Sequence, residues 1–153
     1  MNNRRRQRRR LDRPRTVRFS EREVWNLNYA LARVITGGLR QFINAERHGY
    51  ACDVTEEEWE HILMEMLWAF TEIAEDYPHD PREKWFNAVY AELSTDPNWQ
   101  FQETERQPDG SYLVVKTNFP DTPQDVLTAQ QAYTDRVRAG VNLFAKYVFD
   151  LWD

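Results

Sequence analysis

Thr55 stands three residues before Glu58, with Val54 just ahead of the pair and Trp59 just behind it. A hydroxyl and a carboxylate at that spacing each accept a backbone N–H at the first turn of a helix, and the flanking apolar residues staple the entering chain. From this start Trp59, Ile62, Leu63, Met66, Phe70, Ile73 and Tyr77 hold a helical period, opposite an acidic row of Glu57, Glu60, Glu65, Glu72 and Glu75. A helix this long and this two-sided must bury its apolar side against other elements. The acidic side is expected to meet solvent or a basic partner.

The same start signal recurs upstream. Ser20 with Glu23 forms a second capping box, and Phe19 with Val24 a second staple. The helix that begins there has the apolar row Val24, Leu27, Leu31, Val34 and Ile35, then Phe42 and Ile43 beyond Gly37 and Gly38. Each glycine costs about 1 kcal/mol in a helix interior, so a kink or break is expected at the pair. Asp80 before Pro81 opens a short helix with the row Phe86, Val89, Tyr90 and Leu93, ending before Pro97. Trp99 and Phe101 alternate with polar residues, Pro108-Asp109-Gly110 is turn chemistry, and Tyr112 to Lys116 is rich in strand formers. Residues 99–117 are therefore predicted as a hairpin of undetermined register. Thr122-Pro123 opens a last helix whose row of Val137, Val141, Phe144, Val148, Leu151 and Trp152 runs to the end of the sequence. The expected fold class is mainly α, with about four helices in a bundle and one small β-hairpin. An isolated hairpin is marginal in water, so Trp99, Phe101 and Tyr112 are expected to dock on the bundle or on a partner.

Charge divides the chain of 153 residues. Residues 1–18 hold Arg4, Arg5, Arg6, Arg8, Arg9, Arg10, Arg13, Arg15 and Arg18 against one acid, Asp12, for a net of +8. The remaining 19–153 carry 11 basic and 24 acidic side chains, a net of −13. The first stretch repels itself and has no apolar residue between Met1 and Leu11, so it is expected to be a disordered arm until it meets an anion. Residues 19–153 are expected to form a single helical domain. No apolar run is long enough to span a membrane and the N-terminus lacks the apolar core of a signal peptide. The lone Cys52 excludes an internal disulfide and a cysteine-rich zinc site. A cytoplasmic location follows as the expectation, with no membrane partner.

Two resemblances bear on function. Asn3 to Arg10, NRRRQRRR, resembles the arginine-rich RNA-binding motifs of lentiviral Tat proteins and of the N antiterminators of lambdoid phages, which implies RNA-hairpin or general nucleic-acid binding. Trp25 to Ala32 (W-x-L-x-Y-x-L-A), Glu57 to Met66 (E-x-W-x-x-I-L-x-x-M) and Gly140 to Tyr147 (G-x-x-L-F-A-K-Y), with FDLWD at Phe149 to Asp153, resemble a family of small phage and prophage proteins. That resemblance implies a phage origin and a host-cell cytoplasmic setting, and no mechanism.

The arginines carry the favoured reading. Guanidinium groups match phosphate bidentately and stack on unpaired bases, so Arg4 to Arg18 are the candidate nucleic-acid contacts, with RNA favoured. Arg33, Arg40 and Arg47 recur at seven-residue intervals and form either a further basic patch or a solvated stripe opposite the core. The acidic body is the candidate platform for a protein of the phage or host, or for self-association, with Glu57, Glu60, Glu65, Glu72 and the off-stripe Trp68 as interface residues. The alternative is a phage inhibitor of a host defence protein, acting through the acidic helical face. Catalytic patterns are sparse. Glu58-x-x-His61 has no second copy to complete a two-metal site, Gly37-Gly38 lacks the rest of a phosphate loop, and His48 beside Cys52 has no orienting third group. The expectation is a binding protein without catalytic residues, metal or cofactor.

Overall fold

Both capping boxes close, and with them two of the predicted helices begin where the sequence places them. The structure is a computed structural model in which residues 17–45, 51 and 53–151 are described. The expected disordered arm, apart from Val17 and Arg18, lies outside them. At Ser20 the hydroxyl accepts the Glu23 N–H at 3.3 Å while the Glu23 carboxylate accepts the Ser20 N–H at 2.8 Å. This starts α1 (Glu21–Trp25), and α2 (Leu27–Asn44) follows it. Thr55 and Glu58 make the same reciprocal pair at the start of α3 (Glu56–Ala74). The Asp80 carboxylate caps α4 (Pro81–Leu93), and α5 (Gln124–Tyr147) ends in a 3-10 turn at Val148–Asp150. Thr55→Ala is expected to lower stability by about 1 kcal/mol. The measurement is a urea midpoint that falls with no change in m-value.

The expected break at Gly37-Gly38 is absent. α2 runs through both glycines without interruption, and the chain breaks instead at Asn26, whose backbone sits at φ −121° and ψ 47°. Asn26 closes α1 through its N–H on the Glu23 carbonyl, and its own carbonyl accepts from Tyr29 and Ala30 to start α2. Glycine's penalty is only a propensity, and the packing of Ala32, Thr36 and Leu39 into the core outweighs it. A second correction concerns which side of this helix is buried. Val24, Leu27, Leu31 and Val34 are exposed, whereas Ile35, Phe42 and Ile43 of the expected row pack against the core beside Ala30, Ala32, Thr36 and Leu39. Ala32 and Leu39 join the core cluster built on Trp59, Leu63 and Met66 of α3.

α3 is the central helix, packed between α2 and α5. Its predicted stripe forms the core: Trp59, Leu63, Met66 and Phe70 cluster with Ala32, Leu39, Ala51 and Tyr147. Edge-to-face pairs of Trp59 with Tyr147 at 5.4 Å and Phe70 with Phe144 at 5.0 Å tie α3 to α5. These helices meet closely at Gly140, where an added Cβ would run into the Cβ of Ala69 and lie 2.7 Å from the Glu65 carbonyl oxygen.

The hairpin pairs β1 (Gln102–Arg106) antiparallel with β2 (Tyr112–Thr117). Glu105 lies opposite Leu113 and Arg106 opposite Tyr112, with a shift of register between Glu103 and Thr104. The turn uses the residues expected of it: Asp109 accepts from the Ser111 N–H and hydroxyl, and Gly110 supplies φ +86°. Trp99 and Phe101 dock as expected. They join Trp85, Phe86 and Tyr90 of α4 and Phe119 in a continuous set of ring contacts between 4.6 and 6.4 Å. Tyr112 does not dock and remains 68% exposed.

Candidate functional site

The acidic row of α3 divides into two halves with different surroundings. Glu57 and Glu60 are exposed near its N-terminal end. Glu65 and Glu72, one helical heptad apart, face α5. The Arg136 guanidinium grips Glu65 through two hydrogen bonds of 3.0 and 2.8 Å and lies 3.9 Å from the centre of the Trp68 ring. Trp68 is half-buried, its ring edge-on to Tyr133 at 5.9 Å. Hydrogen bonding by Arg136 holds the Glu65 carboxyl below its ordinary range despite partial burial, and Glu65 in turn raises Arg136.

Glu72 is 2% exposed and anchors a polar network. It accepts from the Tyr133 hydroxyl at 2.6 Å, from His79 Nδ1 at 2.6 Å and from the His79 backbone N–H at 3.3 Å. Burial alone would push this carboxyl up. The donors from Tyr133 and His79 outweigh burial, and the net direction is down. Tyr133 is raised well above the ordinary phenol value, first by burial and then by its bond to Glu72. The turn that delivers His79 places two successive non-glycine residues, Asp76 at φ 62° and Tyr77 at φ 55°, in the left-handed region. It closes by the Tyr77 N–H on the Glu72 carbonyl at 2.7 Å, and the Tyr29 hydroxyl donates to Asp76 at 2.7 Å from α2. Glu65, Trp68 and Glu72 thus fasten α3 to α5 and to the turn after it. They do not form one open surface with Glu57 and Glu60.

Sequence reasoning missed Tyr133, Arg136 and the Glu72–His79 link. One signal pointed to them: Ala69, a small residue between Glu65 and Glu72, extends the covered side of α3 beyond its large apolar stripe. Two neighbouring helices therefore cover α3 from different sides. His61 is exposed. Among the described residues no group of three or more His, Cys, Asp or Glu side chains could hold a metal ion. His48, Cys52, Arg47 and Trp152 lie outside the described residues, as do all the candidate arginines of the arm except Arg18.

Among the described residues, several exposed large apolar side chains lie together on α1 and α2. Val24 is 59% exposed, Trp25 88%, Leu27 41%, Leu31 43% and Val34 47%. Arg18, which leads into α1, is exposed, and so are Arg33 and Arg40 on α2. An open cleft beside the row, lined by Arg22, Tyr29, Arg33, Glu75 and Asp76, separates α1 and α2 from the end of α3. A row of large apolar residues left in water is a mark of an interaction surface. No protein-family model, curated protein or solved structure matches the chain.

Proposed function

We propose that the chain is a non-catalytic, phage-type accessory protein of the cytoplasm with two binding elements. Arg4 to Arg18 engage nucleic acid, RNA in preference to duplex DNA, and the apolar row on α1 and α2 takes a protein partner. The observation that carries the second half is the exposure of Val24, Trp25, Leu27, Leu31 and Val34. Support for the first half is the separation of nine arginines from a body of net charge −13, which itself repels nucleic acid. Arginine forks grip phosphate and stack on bases that a hairpin leaves unpaired. Engagement of Glu65 and Glu72 within the chain favours this reading over an inhibitor acting through the acidic row of α3.

The test is fluorescence anisotropy of labelled RNA and DNA, each as hairpin and duplex, against the full chain and a chain starting at Phe19, across a salt series. With about six phosphates neutralised, log affinity is expected to fall against log salt with a slope of roughly −4 to −5. Binding should disappear in the shortened chain. Equal binding by both chains, or binding indifferent to salt, would sink the proposal.

A further inference from the structure

Resting on the protein-binding half of that reading, we propose that the partner on α2 is a second copy of this chain, its α2 antiparallel to the first about a two-fold axis between Ala32 and Arg33. Leu27, Leu31, Val34 and Gly38 follow one another at intervals of four, three and four residues, the spacing of a two-helix seam. Leu27, Leu31 and Val34 are large and Gly38 has no side chain. Reversal about the midpoint brings Leu27 level with Gly38 of the second copy and Leu31 level with its Val34, each pair equidistant from the axis. Projections therefore meet a notch at both ends, as an isologous contact requires.

Gly38 of α2 supplies the independent argument. Gly140 is explained inside the chain, because α3 leaves no room there for a Cβ. At Gly37 and Gly38 nothing lies within 4 Å of where a Cβ would stand. A poor helix former at the seam position Gly38 of an unbroken helix, with no internal contact to account for it, fits a close approach from outside. Around Gly38 an apolar groove of about 240 Å³, with Ile35, Phe42, Phe144 and Leu151 among its walls, is the receptacle for Leu27 of the second copy.

Charge fits the same occupant. Phe19 to Ala45 carries three arginines and two glutamates, whereas Asp53 to Leu151 carries seven basic and twenty acidic side chains. Two copies repel one another through α3 to α5 and approach without that penalty along α2. The dimer presents two arginine-rich segments to one nucleic acid, and the second contact then gains from effective concentration.

Sedimentation equilibrium of the full chain over a micromolar concentration series is the experiment, with an expected mass of twice 18.4 kDa. Leu31→Glu and Gly38→Leu should each raise the dimer dissociation constant at least about tenfold while circular dichroism shows helix content retained. Met64→Glu, at a residue of α3 that is 55% exposed, should leave the mass unchanged. A monomer at every concentration overturns the proposal, as does a dimer indifferent to Leu31→Glu and Gly38→Leu, or one that Met64→Glu disrupts equally. Anisotropy on the same samples separates the two readings. A monomer that still binds RNA through the arginines overturns only the dimer, and a dimer that binds no nucleic acid overturns only the function of the arginines.

Discussion

Gly140→Ala should destabilise the chain by about 3 kcal/mol, a change of opposite sign to the one helix propensity dictates. In an unobstructed helix the substitution gains about 1 kcal/mol, since alanine restricts the unfolded chain and favours the helix. At Gly140 the new methyl would meet the Cβ of Ala69 and lie 2.7 Å from the Glu65 carbonyl oxygen. Neither obstacle is the far end of a flexible side chain, so α3 and α5 must move apart. Their separation would loosen the Phe70–Phe144 and Trp59–Tyr147 ring contacts together. Urea denaturation should show a large drop in midpoint, and Ala69→Gly in the same chain should restore part of it. Restoration by the second substitution is the coupling that a double-mutant cycle reads between touching residues. An unchanged or raised midpoint for Gly140→Ala would refute the close approach.

Removal of the Glu72 carboxylate is the second large effect. Glu72→Ala is expected to cost about 3 kcal/mol, because it strips the acceptor from Tyr133 and His79 and opens space beside the core. Tyr133→Phe keeps the ring against Trp68 and removes one donor, and should cost about half as much. The pH dependence follows from the direction of the shift. Glu72 is held below its ordinary value of 4.5 in the folded chain. Its ionised form therefore adds stability that is complete above the carboxylate range and is lost as pH falls through the lowered folded value. In Glu72→Gln the acid limb of the stability profile should flatten, with the difference from the parent chain disappearing at the lowest pH. Phenol titration gives a separate readout. Tyr133 should ionise above the ordinary value of 10 in the parent chain, and closer to it once the carboxylate is gone. A parent chain and a Glu72→Gln chain with superimposable acid limbs would show that the network adds nothing to stability.

The amino-acid sequence by itself determined the features that arise within one or two turns of backbone. Ser20 with Glu23, Thr55 with Glu58, and Asp80 before Pro81 mark helix starts because each satisfies N–H groups a few residues away. The stripe from Trp59 to Phe70 declared its core side because its large apolar residues recur at the helical period. The arginines of the arm were legible in the same local way, through charge density alone. α2 offered no such certainty. It carries large apolar residues on one side and Ala32, Thr36 and Leu39 on another, and only the tertiary structure decided which side meets α3. The decision depends on what lies across from each residue once the chain has folded. The same dependence separates Gly140, obstructed by a helix about seventy residues earlier in the chain, from Gly37 and Gly38, which face open space. It also turned Glu72 from one acid in a surface row into the buried acceptor of Tyr133 and His79. Those bonds form only after α3, α5 and the turn between α3 and α4 have packed, so no pattern along one helix announces them.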